Sequence, residues 1–93
     1  MTIQVRIVFH AMFKEAAGAR ESTEEFSDGA TIGEMLDKLA RKYGKDFKTI
    51  VDSKTGEVGA DTLVMLNGQS VRKLDTQLKN EDFIMISVPV GGG

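Results

Sequence analysis

This 93-residue chain predicts an α+β fold, a mixed β-sheet packed on one main helix, and three observations carry that prediction. Thr2 to His10 alternates apolar and polar residues with the period of a half-buried strand. Thr31 to Tyr43 spaces its apolar residues as a helix does, behind a capping signal. Asn67-Gly68 then marks a hairpin, and a last apolar run, Phe83 to Val88, follows it.

In the first strand Ile3, Val5, Ile7 and Phe9 share one face, with Thr2, Gln4, Arg6 and His10 on the other. Val8 interrupts the polar face. Met12 to Ala17 suits a short helical turn stopped by Gly18. Glu21 to Phe26 is a mostly polar strand with Phe26 as its core residue, as expected of a sheet edge. Ser27-Asp28-Gly29 is turn chemistry.

Thr31-Ile32-Gly33-Glu34 matches a capping box, in which the Thr31 hydroxyl accepts from the Glu34 amide and the Glu34 side chain reaches back. Ile32, Met35, Leu36, Leu39, Ala40 and Tyr43 form one apolar stripe. Glu34 with Lys38, and Asp37 with Arg41, have the spacing of ion pairs on the solvated face. Gly44 suits the helix end.

Lys45 to Val51 suits another helical turn, packing Phe47, Ile50 and Val51, and Asp52 to Gly59 is a polar loop. Thr62 to Leu66 and Gln69 to Val71 flank the Asn67-Gly68 turn. Leu74 and Leu78 anchor a connection closed by Lys79-Asn80-Glu81-Asp82. Two hairpin-like halves around one helix make the β-grasp arrangement, with the apolar first and last strands parallel at the sheet centre. The prediction is a β-grasp domain over residues 1–88 and a flexible tail over 89–93 that leaves from a sheet end.

Composition removes several classes of function. Hydrophobic residues at 41% and charged residues at 28% suit a globular chain. There is no Cys, so no disulfide, thiolate ligand or cysteine nucleophile. One His and no spaced ligand cluster argue against a metal site. A net charge of −2 gives no nucleic-acid footprint. No apolar run spans a bilayer and no signal-peptide pattern opens the chain, so a cytoplasmic location is expected.

The tail, Pro89-Val90-Gly91-Gly92-Gly93, carries the sharpest chemical signal. Five extended residues reach at most about 17 Å. Pro89 lacks an amide donor and ends sheet pairing. Glycines without Cβ let a backbone and its carboxylate enter a narrow channel in another protein. A carboxylate acylates nothing until its oxygen becomes part of a good leaving group, which an ATP-using partner supplies as an acyl-adenylate. Three terminal glycines alone fit a plain chain end better than a reactive one, so the reading depends on the rest of the chain.

The chain resembles the MoaD/ThiS-type sulfur carriers, a group that includes small archaeal modifier proteins. Phe9-His10-Ala11-Met12-Phe13-Lys14-Glu15-Ala16-Ala17-Gly18 looks like their "F-A-x-L-R-E-x-A-G" segment, and Gly29 to Leu36 like "G-A-T-V-x-x-L-L". Leu66-Asn67-Gly68 matches "V-N-G", Leu74 to Asp82 resembles "L-D-T-P-L-x-D-G-D", and the tail looks like "P-V-x-G-G". The resemblance implies that Gly93 is the residue activated by adenylation and then joined to sulfur or a lysine amine. It makes Gly92 the other half of a required diglycine. Gly91 departs from the commoner Ser, Ala or Thr. ATP would be used by a ubiquitin-activating-type partner, with no cofactor bound here.

Other candidates are weaker. Glu24-Glu25 and Glu81-Asp82 are read as solvated carboxylates rather than acid–base pairs. His10 has no visible catalytic partner. Lys45, Lys48 and Lys54 are exposed-type lysines among which nothing chooses an acceptor. Alternation turns Ile84, Ile86, Val88, Val64 and Leu66 inward, leaving Val8, Met65, Phe83, Met85 and Ser87 on the outer face near the tail root. That set is either a partner-binding patch or a surface covered by loops of the same domain. Small subunits of molybdopterin synthase often carry an aromatic at the position of Ser87, so Ser87 weakens that pairing.

The expectation is therefore a protein modifier and sulfur carrier, not an enzyme. Its partners would be an adenylating enzyme and either target lysines or a sulfur-accepting enzyme. Two alternatives stand beside it: the sulfur-donating small subunit of molybdopterin synthase, and a β-grasp interaction module that binds by its sheet face and ignores its tail.

Overall fold

The computed structural model describes residues 1–89. In chain order the elements are β1 (Thr2–Phe9), α1 (Met12–Ala17), β2 (Glu21–Ser27), α2 (Ile32–Tyr43), a 3-10 helix (Lys45–Ile50), β3 (Leu63–Leu66), β4 (Gln69–Ser70) and β5 (Phe83–Ser87). The five-stranded sheet runs β2-β1-β5-β3-β4. β1 and β5 pair in parallel at its centre, and the other pairings are antiparallel. This is the β-grasp arrangement the element order predicts. The central strands are the apolar ones because both of their edges are paired and one face is roofed by helix.

That roof is α2. Ile32, Met35, Leu36 and Leu39 are buried against Ile3, Val5, Ile7 and Phe9 of β1, Val64 of β3 and Ile84 and Ile86 of β5 in one core. Thr31 caps the helix, accepting from the Glu34 amide at 3.3 Å while its hydroxyl donates to the Glu34 carboxylate. Two further amides of the first turn are satisfied by the connection before β5, Ile32 N–H to the Thr76 carbonyl and Gly33 N–H to that of Leu74, both at 2.9 Å. At one end of the sheet Phe9, Phe13, Tyr43 and Phe47 form an aromatic cluster, with ring centroids 5.4–5.7 Å apart in edge or tilted geometry.

The structure corrects three expectations. Glu24 is not solvated. It faces inward opposite Val5 and is only 4% exposed. The Ser22 hydroxyl donates to it, Lys42 Nζ lies 2.7 Å away and Lys38 Nζ 3.6 Å. Lys38 correspondingly does not pair with Glu34 along the helix. It crosses to β2, donates to the Glu25 carbonyl at 2.7 Å and sits 4.8 Å over the Phe26 ring. Asp82 is also buried rather than solvated, accepting from the Lys79 amide and from Asn67 Nδ2. Strand pairing carries Glu24 inward and the turn before β5 carries Asp82 inward, and each carboxylate finds hydrogen-bond donors there.

Burial opposes the charge on Glu24, but hydrogen bonds from Lys42 and Ser22 and the charges of Lys42 and Lys38 outweigh it, holding the carboxyl below its usual range. A depressed folded-state value means stability that is present above the unfolded value of about 4.3 and lost as pH falls through the folded value. Lys42→Met should therefore destabilise the fold at pH 7, and only modestly, because the Lys42 side chain is 48% exposed. Denaturant titrations at pH 7 and pH 3 check it. The cost should shrink at the acid pH, and an equal cost at both would assign it to packing instead.

Glu81 holds a positive φ of 69°, and its amide donates to the Gln4 carbonyl at 2.7 Å, so the turn is locked in place. A side chain there costs about 1–2 kcal/mol, which glycine avoids at some cost in unfolded-chain entropy. Glu81→Gly should thus stabilise the fold by about 0.5–1 kcal/mol, read as a melting temperature raised by several degrees. No change or a loss would refute it.

Candidate functional site

The outer face of the sheet and the root of the tail lie together because β1 and β5 run parallel. Both strands end at the same edge, where the His10 amide donates to the Ile86 carbonyl at 2.9 Å. Register then assembles the outer face. Val8 stands opposite Met85, and Met85 opposite Met65, giving a row of three apolar side chains across β1, β5 and β3. With strands about 4.8 Å apart the row is about 10 Å wide. All three are partly exposed, whereas Ile84, Ile86 and Val64 on the inner face are fully buried.

Phe83 begins β5 opposite Arg6 and is 38% exposed. The Arg6 guanidinium lies 5.6 Å from its ring centroid and is held by Glu21, with an Nε–Oε2 distance of 2.8 Å. That hydrogen bond, and the charge of Arg6, hold the Glu21 carboxyl below its usual range. Toward the tail, Ser87 stands opposite Leu63. The predicted residues Val8, Met65, Phe83, Met85 and Ser87 are thus brought onto one face. Leu66 is only partly buried but packs on the core, as its inward assignment requires.

Sequence reasoning missed Leu63 and Arg6 as parts of this face. Leu63 was legible in the alternation Leu63, Val64, Met65. The Arg6–Phe83 contact was not, because it depends on the parallel register. Val88 packs against the core and Pro89 is exposed, lining a small hollow of about 140 Å³ with Val58, Leu63 and Arg72. Gly91, Gly92 and Gly93, the predicted reactive end, lie outside the described residues. On the other side of the tail root His10, Lys14, Arg20 and Glu21 line a shallow hollow. Among the described residues no three of His, Cys, Asp and Glu converge as metal ligands, and no helix is long and apolar enough to cross a membrane. An apolar band, a charged rim and a tail root suit recognition by another protein.

Comparison with known proteins agrees with this architecture. The ThiS family profile matches residues 7–93, a span that includes the terminal glycines. Small archaeal modifier protein 3 of Haloferax volcanii is 30% identical over 94 residues, covering 98% of this chain and all of that protein. The solution structure of the Haloferax volcanii HVO 2177 protein has a TM-score of 0.81 at 28% identity, covering 99% of this chain and 88% of the other. That of small archaeal modifier protein 1 from Methanosarcina acetivorans has a TM-score of 0.76 at 28% identity, covering 100% and 99%. With the β-grasp sheet and a profile match reaching the terminal glycines, the chain belongs to the ThiS family of small ubiquitin-like carriers and modifiers.

Proposed function

We propose that the chain is a protein modifier and sulfur carrier of the cytoplasm, a substrate of an ATP-dependent activating enzyme rather than a catalyst. The observation that carries this reading is the family match running through Gly92-Gly93, on a fold whose last strand ends beside an apolar outer face. A Gly93 carboxylate oxygen attacks the α-phosphorus of ATP, the bond to the β-phosphate oxygen breaks, and pyrophosphate leaves. Sulfide then displaces AMP to give a thiocarboxylate, whereas a lysine amine gives an isopeptide. The narrow glycines bring the carboxylate to the nucleotide, and the face of Val8, Met65, Phe83, Met85 and Ser87 docks on the activating enzyme. The serine opposite Leu63 at the tail root favours this reading over a dedicated molybdopterin-synthase pairing.

The test is incubation with ATP and lysate of the source organism, followed by intact and C-terminal peptide mass. A thiocarboxylate adds about 16 Da, the same nominal gain as methionine sulfoxide, so the gain must map to the tail peptide. Conjugates joined through Gly93 to lysine support modification. Neither product, with the domain folded, would sink the proposal. Phe83→Asp, at the exposed margin of the face, should slow activation about tenfold without lowering the melting temperature. An unchanged rate would remove Phe83 from the docking surface.

A further inference from the structure

We propose that Met65 and Met85 form a peroxide-sensitive switch on the docking face, an inference that rests on the carrier reading above. The two stand directly opposite each other on β3 and β5, with Val8 completing the row, and both are partly exposed. Their side chains are therefore neighbours, with Cβ atoms about 5 Å apart. The chain has no Cys, so thioether sulfur is its only oxidisable sulfur. Met35, the methionine of the core, is fully buried on α2, while Met1 and Met12 are exposed and lie outside the strands of the sheet. Oxidation at the pair thus alters a surface and leaves the core sulfur shielded.

The chemistry is a two-electron transfer. A thioether lone pair attacks one oxygen of hydrogen peroxide, the S–O bond forms, the O–O bond breaks, and the departing oxygen leaves as water after proton transfer. Sulfur is oxidised and peroxide reduced. A dithiol sulfoxide reductase reverses it, two thiols becoming a disulfide as the oxygen leaves as water. Each sulfoxide puts a strong hydrogen-bond acceptor where an apolar partner surface would sit. Buried there without a donor it is costly, and two adjacent ones occupy the middle and one end of the three-residue row. Oxidation thereby switches docking off while the fold persists, and reduction restores it.

The experiment treats the wild-type chain and the Met65→Leu/Met85→Leu double variant with graded hydrogen peroxide. Peptide mass mapping assigns each sulfoxide, and the rate of ATP-dependent activation is then measured with the activating enzyme of the source organism. Met1 and Met12 should oxidise first, then Met65 and Met85, with Met35 spared. Wild-type activation should fall about tenfold as Met65 and Met85 convert, and recover with methionine sulfoxide reductase. The leucine variant, a volume-conserving change without thioethers in the row, should hold its own starting rate, whatever its value, through the treatment. Met65→Gln/Met85→Gln should be slow without peroxide. The switch is overturned if both methionines oxidise with no loss of rate, if both resist a dose that converts Met12 fully, or if the leucine variant loses as much as wild type. An untreated wild-type chain that is not activated overturns the carrier reading and the switch with it, an outcome distinct from an active chain indifferent to peroxide.

Discussion

Removing Gly92 and Gly93 is expected to abolish ATP-dependent activation and conjugation altogether while leaving the domain folded. The argument is chemical. In the proposed reaction the acylating group is the terminal carboxylate, and truncation moves it to Gly91, two residues and about 7 Å nearer the domain. A carboxylate displaced by that distance cannot meet a nucleotide held in a partner's site, where misplacement by even 1 Å is costly. The core, in contrast, is completed by Val88 and earlier residues. Thermal melts of the truncated and full-length chains should coincide, and only the full-length chain should form an adenylate or thiocarboxylate by mass. Residual activation of the truncated chain would move the chemistry away from Gly93. Gly93→Ala is a milder probe, retaining the carboxylate while adding a Cβ, and is expected to slow rather than abolish activation.

Phe47→Ala is expected to cost about 3–5 kcal/mol, the largest stability effect of any substitution considered. Phe47 is fully buried, and its ring meets Phe9 at 5.6 Å, Phe13 at 5.4 Å and Tyr43 at 5.7 Å. It joins β1, α1 and α2 at the end of the sheet from which the tail departs. Against a total stability of about 5–15 kcal/mol the loss leaves a marginal domain. Urea denaturation checks it, and a cost under 1 kcal/mol would show that the cluster collapses around the vacancy. Phe47→Leu, which refills much of the volume, should recover a good part of the loss.

Much of this was legible in one dimension. Ile3, Val5, Ile7 and Phe9 announce a strand because successive side chains alternate faces, and the stripe from Ile32 to Tyr43 announces a helix because its turn is 3.6 residues. Asn67-Gly68 announces a hairpin because both positions need positive φ, and they adopt 51° and 88°. The same alternation put Met65, Phe83 and Met85 on the outer face. The terminal glycines and the upstream segments of the resemblance pointed to the family that the profile and the relatives show.

What could not be read was which distant residues meet. Glu24 in a polar strand has the appearance of a solvated carboxylate until pairing with β1 turns it inward under Lys38 and Lys42. Lys38 had a local partner at helical spacing, but the buried carboxylate across the core draws it away. Asn67 was legible as a turn residue, yet its amide also bonds Asp82 and the Phe83 amide at 2.8–2.9 Å, tying the hairpin to the start of β5. The sequence by itself determined the element types and the inward faces of the apolar strands and of α2, because backbone periodicity and residue type are local properties. Tertiary structure alone decided that Met65 meets Met85, that Arg6 covers Phe83 and that Glu24 is buried. Those contacts follow from strand order and register, which are set by the joint packing of the whole core.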